Sequence, residues 1–99
     1  MENNFKAYTR TADMLKAIAH PVRLCIIKGL LDKGSCNVTY MQECLALPQS
    51  TVSQHLQKLR SLGIVETERN GLEIIYSVKD DTIKQLITLL LGEEPRHEA

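Results

Sequence analysis

At Gly63 the hydrophobic period of this chain changes, and that change limits the folds open to it. Before the glycine, apolar residues recur at helical spacing. After it, Leu72, Ile74, Tyr76 and Val78 alternate with more polar neighbours, which is the period of a strand. Asn70-Gly71 separates that strand from the segment IVETER, and an Asn-Gly pair between two such runs predicts a hairpin. From about Asp80 to Leu91 the helical period returns. Ninety-nine residues suit one domain, so the expected fold is mostly α with one small hairpin, in the order α-α-α-α-β-β-α. Residues 1–92 would form it, with 93–99 (EEPRHEA) a flexible tail.

The helices before Gly63 are separated by local punctuation. Phe5, Tyr8, Ala12, Leu15 and Ala19 share one face of a first helix, and Ala7, Met14 and Ile18 share nearly the opposite one, so that helix has two surfaces to bury. His20-Pro21 ends it and starts a second, because proline disfavours helix in the residue before it and suits a first turn; at this junction His20 is read as a cap. The second helix carries Val22, Leu24, Ile26, Ile27, Leu30 and Leu31 and stops at Gly34. Asn37 then caps a short third helix bearing Val38, Met41 and Leu45, and Pro48 breaks the chain again.

The fourth helix, about Gln49 to Leu62, places Val52, Leu56 and Leu59 on one stripe. Opposite it stand Ser50, Gln54, Gln57 and Lys58, with Ser53 beside them. A solvated helix face would account for these residues taken alone. Their context points elsewhere: a short helix, a tight break, a second helix and a hairpin with Arg69-Asn70-Gly71 at its tip is the winged helix-turn-helix layout. In that layout Gln49, Ser50, Thr51, Ser53 and Gln54 meet base edges in the major groove, where glutamine can read adenine and serine suits several edges. Lys58, Arg60 and Arg69 serve phosphates, and Asn70 reaches the minor groove or backbone from the hairpin tip. His55 lies at the edge of the apolar stripe, and core-edge packing and a DNA contact suit it equally.

Composition removes other classes. Four aromatics and no Trp argue against a ring-walled ligand cavity and against single-strand binding by base stacking. No Ser-His-acid order, P-loop or GxGxxG accompanies the histidines, so no enzyme is expected. The absence of a leader pattern in MENNFKAYTR and of a long apolar segment predicts a cytoplasmic protein without a membrane span. The zero net charge is unevenly spread. Residues 1–34 hold six Lys/Arg against three Asp/Glu and residues 80–99 hold two against five, which permits a local basic surface.

The segments ADMLKAIAHPVRLCIIKGLL and LPQSTVSQHLQKLRSLGIVETERNGLEIIYS, with their spacing, resemble the ArsR family of small dimeric bacterial repressors over residues 12 to about 90. The resemblance implies a homodimer on double-stranded operator DNA, commonly released by an inducer. Dimerisation also follows from the last helix, where Ile83, Leu86, Ile87, Leu89, Leu90 and Leu91 span about 200° against the roughly 100° that one core contact needs. An interface from both terminal helices, using Tyr8, Leu15, Ile83, Leu86, Ile87 and Leu90, would set two recognition helices on the half-sites of a palindrome. A winged-helix module that binds only protein is the alternative of another class.

Two metal sites recur in the family, and the resemblance implies that both are lost here. Where a thiolate box similar to ELCVCDL belongs, Asn37 and Thr39 replace the cysteines and Tyr40 the aspartate. At the last-helix site Asp80 matches, whereas Thr82, Glu93 and Arg96 occupy the other ligand positions. No metal or cofactor is therefore expected, and the chain resembles a metal-independent branch of the family. A thiol-redox or persulfide response through Cys25 and Cys36 is the alternative, with Cys36 exposed near a helix start that would lower its pKa and Cys44 packed inertly.

Overall fold

The computed structural model describes residues 2–92, with side chains from Phe5 onward; residues 93–99, and with them Glu93, Arg96, His97 and the expected tail, lie outside the described residues. Five helices and a hairpin follow in order: α1 (Glu2–Ile18), α2 (Pro21–Lys33), α3 (Val38–Leu45), α4 (Gln49–Ser61), β1 (Val65–Asn70), β2 (Glu73–Val78) and α5 (Asp81–Leu91). Each boundary has a local cause. His20 is extended and its Nδ1 accepts from the Val22 amide at 3.1 Å, with Pro21 in the first turn behind it. Gly34 closes α2 with φ +96°, a conformation that side chains disfavour. Asn37 Oδ1 accepts from the Tyr40 amide at 2.8 Å, and Asp80 Oδ1 from the Ile83 amide at 2.9 Å. No helix among the described residues is long and apolar enough to cross a membrane.

One aliphatic core holds these elements. Ile26, Ile27 and Leu30 of α2 meet Val52, Leu56 and Leu59 of α4, Ile64 just before the hairpin and Val65 at its start, and Ile83 and Ile87 of α5. Leu56 is fully buried among them. Leu56→Ala should lower unfolding free energy by about 2–5 kcal/mol, read as a shift of the urea midpoint with an unchanged slope.

The hairpin differs by one residue from the expected turn. Asn70 pairs with Glu73, so the two-residue loop is Gly71-Leu72 rather than Asn70-Gly71. Gly71 takes φ +69° while neither Asn70 nor Leu72 has a positive φ, which favours a turn with glycine first over one needing two left-handed residues. A single bridge between Cys36 and Tyr76 ties β2 to the segment before α3, by backbone bonds of 2.9 and 3.1 Å.

The terminal helices correct part of the expected dimer surface. Ile83 and Ile87 are 1% and 0% exposed in the single chain, so they belong to its own core and offer no area to a partner. Leu86 is half-buried against that core. The uncovered apolar residues are Leu89 (81% exposed), Leu90 (64%) and Leu91 on α5, and Phe5, Tyr8 and Leu15 on α1. Of α1, Ala17 and Ile18 are buried and Met14 packs on the core from its edge.

Candidate nucleic-acid interface

Ala46 makes the break between α3 and α4. It adopts a left-handed conformation (φ 57°) after the last turn of α3, and its amide and that of Leu47 both return to the Gln42 carbonyl, at 2.9 and 3.4 Å. Pro48 then starts α4 from extended backbone without a side-chain cap. The positive end of the α4 dipole, with first-turn amides that no side chain caps, therefore opens beside Gln49 and Ser50.

Along α4 the two faces separate cleanly. Val52, Leu56 and Leu59 are fully buried, whereas Gln49, Ser50, Gln54, Gln57, Lys58 and Arg60 are exposed. Thr51 and Ser53 are half-buried at the margin. Gln49 and Ser53 look into a groove of about 330 Å³ whose other wall is the hairpin residues Leu72, Glu73, Ile74 and Tyr76. The fold thus brings the helix start and the wing to one surface. Arg69 sits opposite Ile74 in the hairpin register and turns back toward the tip, its Nη1 donating to the Gly71 carbonyl at 3.4 Å. Asn70 is exposed beside it.

His55 departs from the outward set. Its Nδ1 accepts from Arg23 Nε at 3.1 Å, and its ring lies 4.7 Å from that of His20, so it faces α2 rather than the exposed surface. Arg23 is fixed further by a bond from Nη1 to the Ala17 carbonyl at 3.1 Å. Burial lowers the His55 pKa below its ordinary value of 6.5, with smaller contributions from His20 and Arg23. Between that folded value and 6.5 the unfolded chain binds more protons than the folded one, so stability is complete above 6.5 and declines as pH falls through this window. Urea midpoints should show this acid decline, and His55→Gln should flatten it.

Two cations escaped the sequence reading. Lys16 and Arg23 line a shallow hollow with Lys58, although they are distant in sequence, and Asp13 lies with them. The charge surplus of residues 1–34 was their only sequence trace. The thiols also sit differently from expectation. Cys36 is 7% exposed, and burial pushes its pKa up against a smaller opposing pull from Lys33, which removes the proposed exposed, low-pKa thiol. Its inward position follows from the bridge to Tyr76. Cys44, expected to be packed, is exposed, as is Cys25.

A short helix, a left-handed break, a second helix with an uncovered polar face and a hairpin beside it define a winged helix-turn-helix regulator. Residues 20–67 match the family model described as bacterial regulatory protein, arsR family. The chain belongs to that family. It is 46% identical over 79 residues to the transcriptional repressor PagR of Bacillus anthracis, covering 80% of this chain and 79% of that one. The crystal structure of PagR superposes with a TM-score of 0.80 at 42% identity, over 87% of this chain and 98% of the other. A biofilm growth-associated repressor of Xylella fastidiosa is 36% identical over 90% of this chain and 77% of its own. The homodimeric winged helix-turn-helix DNA-binding domain of Mb0332 from Mycobacterium bovis, solved by NMR, gives a TM-score of 0.82 at 26% identity, covering 100% of this chain and 96% of that one.

Proposed function

We propose that the chain is a sequence-specific transcriptional repressor that binds a palindromic operator as a homodimer. The observation that carries this reading is α4: its aliphatic stripe is fully buried, and its uncapped start presents Gln49, Ser50 and Gln54 to solvent beside the wing. These amides and hydroxyls are suited to base edges, and the open helix start to a phosphate. Thr51 and Ser53 would orient the helix from its margins. Lys58 and Arg60 would hold phosphates on one side, with Lys16 and Arg23 extending that surface. On the wing Arg69 would work against Glu66, Glu68 and Glu73, so the electrostatic grip should come mainly from the helix side.

The uncovered apolar residues of α1 and α5 would form the dimer, placing two α4 helices on half-sites about 34–36 Å apart. The homodimeric state of Mb0332 supports this arrangement. Log affinity for an operator fragment should fall linearly with log salt. Lys58→Ala should flatten that slope by about one, whereas an unchanged slope would remove Lys58 from the phosphate contacts.

Metal would not be the signal. Asn37, in the thiolate box, is already committed: Oδ1 caps α3 and Nδ2 donates to Glu73 Oε2 at 3.0 Å. Among the described residues no three His, Cys, Asp or Glu side chains converge to hold one ion. Stoichiometric zinc or arsenite should leave operator affinity unchanged; tight binding in a titration, coupled to operator release, would contradict this.

A further inference from the structure

All three cysteines of the chain line a single cavity. Cys25 reaches it from α2, Cys36 from the segment before α3, and Cys44 from the last turn of α3; Ile26, Met41 and Leu45 supply apolar wall. Its volume is about 410 Å³, within the range that holds a small organic molecule. α3 packs on α4 and β2, and it faces α2 across this space. A ligand filling the cavity would therefore press on the first helix of the helix-turn-helix.

The polar groups at the cavity are few and chemically related. Lys33 holds its ammonium 4.9 Å from the centre of the Tyr40 ring, and both residues line the cavity. Tyr40 and Cys44 line the same cavity, and Cys44 is the main influence that pushes the Tyr40 phenol above its ordinary pKa. An exposed thiol thus stands beside a phenol and an ammonium, with aliphatic walls around them. Cys36, buried behind, is held in its protonated form by desolvation and is a poor nucleophile. The other acidic group lining the space, Asp32, is paired to Lys28 at 2.7 Å and leaves Lys33 free to face an uncharged carbonyl.

We propose that the cavity between α2 and α3 is a sensor site in which a small, uncharged α,β-unsaturated carbonyl compound alkylates Cys44. The apolar body of the compound would lie against Ile26, Met41 and Leu45, with its carbonyl oxygen toward Lys33 and Tyr40. The Cys44 thiolate forms a bond to the β-carbon, and the alkene electron pair moves toward the carbonyl oxygen. The resulting enolate then takes up the proton that the thiol lost. The net change is addition of S–H across the double bond, without an oxidant. The bulky adduct on α3 would shift α3 and α4 away from the DNA-binding arrangement, a step that rests on the operator-binding reading above.

The test treats the full-length chain with 2-cyclohexen-1-one, locates adducts by mass spectrometry over time, and measures operator affinity before and after. Cys44 should be modified ahead of Cys25 and Cys36 and faster than free glutathione, with Tyr40→Phe and Lys33→Met slowing it. Treated wild type should lose operator affinity about ten- to hundredfold, and Cys44→Ser should bind normally and resist treatment. Cys25→Ser should behave as wild type, which keeps the test decisive if Cys44→Ser folds poorly. Equal modification of all three thiols at the glutathione rate would overturn the site. An adduct confined to Cys44 that leaves operator affinity intact would overturn the sensor role. If untreated protein binds no DNA at all, the operator reading fails, while the rate comparison still judges the cavity.

Discussion

Replacing Ser50 and Gln54 together with glutamate should abolish operator binding and leave the unfolding midpoint where it was. Both side chains are exposed on α4, and neither touches the Val52, Leu56, Leu59 stripe that anchors the helix. At Ser50, in the first turn of α4, a carboxylate is favourable to the helix itself because it faces the positive end of the dipole, and at the exposed Gln54, one turn further on, glutamate is as good a helix former as glutamine. Unfolding therefore offers no route to lost binding. At the duplex the same carboxylates replace groups able to donate to base edges and add charge repelled by phosphate. Each lost base contact costs about 1–3 kcal/mol, so the pair together should reduce affinity roughly a hundredfold or more before repulsion is added. A module that binds only protein would keep its partner and show no operator binding to lose, whereas a double variant that held operator within about threefold would remove Ser50 and Gln54 from the base contacts.

The second large effect concerns assembly. Leu89 and Leu90 are 81% and 64% exposed in the single chain, next to Leu91 on α5, while Phe5, Tyr8 and Leu15 lie uncovered on α1. A Leu89→Glu, Leu90→Glu variant should sediment as a monomer at concentrations where the wild type sediments as a dimer, because two carboxylates per chain would have to be desolvated at the contact. Its operator affinity should fall with dimerisation, since two half-site contacts no longer act as one. Ile87→Glu provides the contrast. Ile87 is fully buried in the single chain, so that substitution should unfold the protein outright. If Leu89→Glu, Leu90→Glu sediments like the wild type, the dimer must use another surface.

Much of the fold could be read from local signals, because its boundaries are set locally. His20-Pro21, Gly34, Asn37, Pro48 and Asp80 each stop or cap a helix through contacts within four residues. The α4 stripe emerged for the same reason: Val52, Leu56 and Leu59 repeat at helical spacing, and all three are fully buried. The misreadings arose where distant parts of the chain decide. On α5 an apolar arc wider than one contact cannot say which leucine or isoleucine faces its own core, and the fold gives Ile83 and Ile87 to that core. Cys36 reads as a loop residue until Tyr76, forty residues later, pairs with its backbone and draws it inward. His55 stands at the margin of its helix, and Arg23 from α2 settles its direction. Lys16, Arg23 and Lys58 share a hollow only because α1, α2 and α4 pack together. The turn shift to Gly71-Leu72 is the local exception, since both candidate loops contain the same glycine.

Selection of duplexes from a random pool by the wild-type chain tests the account most directly. The enriched sequences should contain an inverted repeat with half-site centres about 10–10.5 base pairs apart, or a multiple of that spacing. The same selection with Gln54→Ala should relax the preferred bases at matching positions in both halves while the spacing stays fixed. Enrichment of a single unrepeated motif, of no motif, or of the same bases with and without the Gln54 amide would contradict a paired reading of the major groove by α4.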